Sequence, residues 1–106
     1  MTPIELDDFD RELDELERLS NSVLDHIDAK DFEAARQACL ELGRRFPDQI
    51  DWVDRTARLH EARGEVDLAI LHFRRCLDFV DLHPDDFDEE SRESYREEIE
   101  RLILRP

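Results

Sequence analysis

The chain has 106 residues, 30 of them acidic and 15 basic, for a formal net charge of −15. That length suits one domain with a modest core, and so large an acid surplus excludes nucleic acid as a partner, because phosphate binding needs a basic stripe. Hydrophobic residues make up 40%, too many for a disordered acidic tail, and with only 2 Gly and 4 Pro the composition points to helices.

The charge is uneven along the chain. Residues 1–34 carry −9, residues 35–80 are neutral and residues 81–106 carry −6. Acidic ends keep a protein soluble, and they also allow a basic protein partner. The opening MTPIELDDFD is acidic where a secretory signal is basic and then apolar, so a soluble cytoplasmic protein is expected.

The first helix has a start signal in Thr2, Pro3 and Glu5, a T-x-x-E capping box with proline at the first helical position. Leu6, Phe9, Leu13, Leu16, Ser20, Val23 and Ile27 then recur at alternating spacings of three and four, an a/d seam that predicts a helix to about Asp28. A second helix is predicted from about Asp31 to Arg45, with Phe32, Ala35, Cys39, Leu42 and Phe46 on one face, closed by two arginines and Pro47. Asp48 is placed to cap a third helix through about Ala62, carrying Ile50, Val53, Ala57 and His60, with Gly64 as a left-handed terminus.

A fourth helix, from Glu65 to about Asp81, is apolar on nearly all sides: Val66, Leu68, Ala69, Ile70, Leu71, Phe73, Cys76, Leu77 and Phe79. It is too short and too interrupted by Asp67, Arg74 and Arg75 to span a bilayer, which takes roughly 20 apolar residues. The expectation is a helix enclosed by protein. Pro84 breaks the chain, and a fifth helix with a narrower stripe of Phe87, Tyr95, Ile99, Leu102 and Ile103 is predicted from about Asp86 to Leu104. Short connections make neighbouring helices antiparallel hairpins.

Shifting the chain by 34 residues lays Leu16 on Ile50, Val23 on Ala57, His26 on His60, Ala35 on Ala69 and Leu42 on Cys76, apolar on apolar at nearly every core position. With Gly64 at the turn, Ala69 at the helix crossing, Phe73 one turn on and Cys76 at a small-residue position, and with Phe32, Ala35, Pro47 and Ala57 in matching places, the pattern resembles the tetratricopeptide repeat (TPR). It covers residues 16 to about 81. The departures are Lys30 in place of the turn glycine of the first copy, Trp52 one residue early and Pro84 three residues late.

The resemblance implies an all-α fold, a right-handed α-α superhelix of about five antiparallel helices, in a single domain with repeats at 16–49 and 50–83 and a capping helix at 84–106. A solenoid this short needs polar caps, which the fifth helix and the extra turns of the first would supply. It also implies a non-catalytic protein-interaction module, an adaptor or small chaperone, binding a partner helix or peptide in a concave groove. Carried over position by position, that groove is lined by Glu17, Ser20, Leu24 and Ile27 in the first copy and by Asp51, Asp54, Arg58 and Glu61 in the second. TPR proteins that clamp acidic tails carry Lys and Asn where Ser20 and Leu24 stand, so a basic or amphipathic helix suits this groove better. Leu24 and Ile27 also admit a simpler role as contacts to the next helix. Small acidic proteins of similar architecture occur among bacterial secretion chaperones.

Two other features bear on function. The a/d seam of the first helix could pair with a second copy to make a homodimer, although its acids would repel in a parallel self-pair. Catalytic, cofactor and metal signals are missing: Cys39 and Cys76 read as reduced core thiols, His26 and His60 as packing residues, and His72 with Cys76 as one i, i+4 pair, too few ligands for a site. DDFDE at 85–89 loosely resembles the aspartate-rich motif of prenyl transferases, which need a large helical cavity and a second acidic motif. The chain is therefore expected not to be an enzyme and to bind no cofactor.

Overall fold

The computed structural model describes residues 3–105, with side chains from residue 10 onward. Five helices account for most of the chain: α1 (Pro3–Asp28), α2 (Phe32–Arg45), α3 (Asp51–Ala62), α4 (Val66–Leu82) and α5 (Glu89–Ile103). No strand occurs among the described residues, and the protein is all-α. The capping box of Thr2 and Glu5 lies outside the described residues, as do the seam side chains Leu6 and Phe9.

The chain divides into two compact units, Met1–Trp52 and Val53–Pro106. The first holds the α1–α2 hairpin, with Leu19 and Val23 of α1 and Ala35, Ala38, Cys39 and Leu42 of α2 buried. Glu15 of α1 accepts from Arg45 of α2 at 3.0 Å and from Arg18 Nη2 at 2.8 Å. The second unit holds α3 from Val53 onward, α4 and α5. Its core is Ala57, Ala69, Phe73, Ile99 and Leu102, with Val66, Ile70, Leu77 and Tyr95 packed against it.

Each hairpin closes through the same backbone device. The Lys30 N–H donates to the Ile27 carbonyl at 2.9 Å and the Asp31 N–H to the His26 carbonyl at 2.8 Å. Thirty-four residues later the Gly64 N–H donates to Glu61 at 2.9 Å and the Glu65 N–H to His60 at 2.9 Å. These paired bonds form a Schellman terminus, which requires a left-handed residue just past the helix. Gly64 supplies it at φ 79° and Lys30 at φ 60°. The next residue then opens the following helix with nearly the same backbone, Asp31 at φ −90°, ψ 76° and Glu65 at φ −88°, ψ 69°. The duplication visible as apolar periodicity is thus a duplication of turn geometry.

A lysine in the left-handed region carries a steric cost that glycine escapes, about 1 kcal/mol or more, less the extra chain entropy glycine brings to the unfolded state. Lys30→Gly is expected to stabilise the protein by up to about 1 kcal/mol, read as an increase in the urea midpoint at unchanged slope.

Three expectations are corrected. Asp48 does not cap α3, which begins at Asp51. The Gln49 N–H instead donates to the Phe46 carbonyl at 3.2 Å, so the chain turns through Pro47 and Asp48 before the helix starts. Trp52 supports that turn, its indole N–H donating to the Pro47 carbonyl at 3.2 Å and its ring lying against Gly43. Likewise α5 begins at Glu89 rather than near Asp86, because a turn after Pro84 bonds the Asp86 N–H to the His83 carbonyl at 3.0 Å. Asp88 becomes its cap, accepting from the Ser91 N–H at 2.9 Å.

The third correction concerns enclosure. Only one stripe of α4 is buried, through Ala69, Phe73, Cys76 and Val80, and Leu68 and Leu71 remain 41% and 43% exposed. α3 and α5 cover part of the circumference of α4, and its other side stays open despite its hydrophobic content. No helix among the described residues is long and apolar enough to cross a membrane.

Candidate functional site

Of the residues expected to line a groove, Glu17, Ser20, Leu24, Ile27 and Asp51 lie in the first unit and Asp54, Arg58 and Glu61 in the second. In the first unit Glu17 is exposed, Leu24 and Ile27 are half-buried, and Ser20 is only 2% exposed. Ser20 is a polar break in an apolar seam, and burying a hydroxyl is tolerable only when it is hydrogen-bonded. Its Oγ donates to Asp51 Oδ2 at 2.7 Å, so two of the expected residues meet directly.

In the second unit the repeat places Asp54 where the first copy has Ser20, and Asp54 is 5% exposed. A buried carboxylate needs compensation from several donors. Oδ1 accepts from Arg58 Nε at 2.8 Å and from Arg55, and Oδ2 accepts from the Tyr95 hydroxyl at 2.9 Å. The i, i+4 spacing on α3 brings Arg58 to Asp54, and the Arg58 guanidinium lies over the Phe73 ring, 5.5 Å from its centroid. Burial alone would raise the Asp54 pKa. The Arg58 hydrogen bond and charge, the Arg55 charge and the Tyr95 hydroxyl outweigh it and hold the carboxyl below its ordinary range.

That anion acts on its neighbours. Burial first, and then the Asp54 charge, push the Tyr95 phenol far up and the Cys76 thiol to about 12. Cys76 is therefore a protonated core thiol at neutral pH. Glu61, the last of the expected groove residues, is half-buried and takes a two-pronged ion pair from Arg101 of α5, both contacts at 2.8 Å. That pair lowers the Glu61 pKa against the opposing effect of burial.

Of the eight residues, Ser20, Asp51, Asp54, Arg58 and Glu61 thus spend hydrogen bonds on the chain itself, and Glu17, Leu24 and Ile27 present the less committed surface. Beside Arg58, α5 borders a cavity of about 380 Å³ whose lining includes Phe87, Glu90, Ser94 and Tyr95. Among the described residues no three His, Cys, Asp or Glu side chains gather as a metal ligand set.

Comparison with known protein families, with curated proteins and with solved structures gives a plain answer. Nothing matches.

Sequence reasoning did not foresee Tyr95 and Arg55 as members of the Asp54 network. In the sequence Tyr95 falls in the apolar stripe of the fifth helix, yet a tyrosine facing a core brings a hydroxyl that needs a partner. Asp54, the acid at the repeat position matching buried Ser20, was the available signal.

Proposed function

We propose that this protein is a non-catalytic protein-interaction module, an adaptor or small chaperone of the cytoplasm, built from two TPR-like hairpins and a capping helix in a right-handed superhelix. The observation that supports this reading best is the duplicated Schellman turn at a spacing of 34 residues, the repeat length of the tetratricopeptide family. The partner is a basic amphipathic helix, attracted by the acid surplus and contacting Glu17, Leu24 and Ile27.

The test is a tagged pull-down from the cells that make the protein, at low and high salt, with Leu24→Asp in parallel. One dominant partner, weakened by salt and lost with Leu24→Asp, is the expected result. Recovery of the bait alone would sink the reading.

A second reading, self-association through α1, is favoured by Leu13, a seam residue that stays 49% exposed. Light scattering of the purified chain separates the two, because a module that awaits a partner runs as a monomer.

A further inference from the structure

Two imidazoles meet in the α3–α4 hairpin. The His60 and His72 rings lie with centroids 5.0 Å apart and planes tilted by 40°. His60 lies in the last turn of α3, and its Nδ1 is 3.2 Å from Glu65 Oε1, which also takes an ion pair from Arg63 Nε at 3.3 Å. On α4, His72 Nδ1 is 2.9 Å from the Leu68 carbonyl, and His72 Nε2 is 3.4 Å from Arg75 Nη1.

The chemistry of those two partners defines the state of His72. A carbonyl only accepts, so Nδ1 carries the proton; a guanidinium only donates, so Nε2 offers its lone pair. Both contacts are met by a neutral ring in that one tautomer. A second proton has to enter at Nε2, where it displaces the Arg75 contact and leaves a cation beside that guanidinium and against the His60 ring. Burial, with His60 and Arg75 nearby, holds the His72 pKa below the ordinary imidazole value although the Leu68 carbonyl pulls the other way. A lowered folded-state pKa means that the hairpin keeps its full strength above about pH 6.5 and loses it as the pH falls.

The other hairpin is an internal control. Thirty-four residues earlier, His26 stands where His60 does, but the position of His72 is occupied by buried Ala38. We propose that His72, held between His60 and Arg75, is a proton-operated latch on the α3–α4 hairpin: proton uptake at Nε2 loosens that hairpin and leaves the α1–α2 hairpin closed. Glu65 and Arg63 complete the charged surroundings at the turn, and Glu65 bonds His60 rather than His72. The latch follows from the geometry of one hairpin and holds whether or not a partner helix binds elsewhere.

The experiment is amide exchange by NMR on the full chain at pH 7.5 and 5.5, corrected for intrinsic exchange. The amides of Glu65 and Ala69, which bond across and just after the α3–α4 turn, are compared with Asp31 and Ala35, which make the same bonds in the other hairpin. Protection of Glu65 and Ala69 is expected to fall by between about two- and tenfold, the upper bound for one ordinary imidazole kept neutral one pH unit below its unperturbed value. Asp31 and Ala35 are expected to hold theirs, and His72→Gln to abolish the difference. Equal loss in both hairpins, or a loss that survives in His72→Gln, overturns the proposal. So does an imidazole nitrogen spectrum at pH 7.5 that places the His72 proton on Nε2, a measurement on the unmodified chain.

Discussion

Asp54→Ala is expected to be among the most damaging single substitutions in this protein. It removes the acceptor for Arg58, Arg55 and the Tyr95 hydroxyl together. The half-buried Arg58 guanidinium is left over the Phe73 ring without its counter-ion, and the phenol loses its partner. Breaking a buried pair from one side costs about 3–5 kcal/mol, because the surviving charge stays desolvated. Urea unfolding followed by circular dichroism should show a midpoint lowered accordingly. A loss below about 1 kcal/mol, the size typical of an exposed ion pair, would show that water reaches this site freely.

The same carboxylate has a pH signature. Its folded-state pKa lies below the ordinary value of 3.8, so its contribution is complete above that value and is lost as the pH falls toward the folded one. Asp54→Asn, which keeps the shape, should flatten the acid limb of the stability profile below about pH 4. Exposed carboxylates contribute to that limb in the variant and the parent alike, so the difference between the two profiles isolates Asp54.

Phe73→Ala is the second large effect. The ring is fully buried against Ala57, Ala69, Ile99 and Leu102. Two of those neighbours are alanines on helices that approach closely, and they have no side chain to swing into the space. The cavity therefore persists, and a loss of about 3–5 kcal/mol is expected from transfer and cavity terms together. Arg58 also loses the ring face beneath it. Against a typical total of about 5–15 kcal/mol, that leaves a marginal protein. Cys39, at the matching position of the first copy, is a smaller buried side chain. Cys39→Ala removes only a sulfur and is expected to cost well under half as much by the same urea assay.

The two variants probe different arguments. Phe73→Ala measures how tightly the α3–α4–α5 core is packed, whereas Asp54→Ala measures whether a polar network inside that core is matched donor to acceptor. A double-mutant cycle between Asp54 and Tyr95 would apportion the network's share, since the two are in direct contact and their effects should not add.

The helices and turns were legible because their causes are local. A Schellman terminus is settled by hydrogen bonds spanning five residues, so Gly64 could be recognised from the sequence, whereas Lys30 counted as a departure from the repeat until its left-handed backbone was seen. The 34-residue period carried the same information twice. The starts of α3 and α5 were misplaced by about a turn of chain, because the turns after Pro47 and Pro84 use residues that compete as caps. The candidate site was legible only as positions. Tyr95 reaches Asp54 across 41 residues and Ser20 reaches Asp51 across 31, pairings that no local pattern encodes. Nor does the composition of α4 say which of its leucines stay wet: hydrophobic content sets how much surface favours burial, and the number of neighbouring helices sets how much of it is covered.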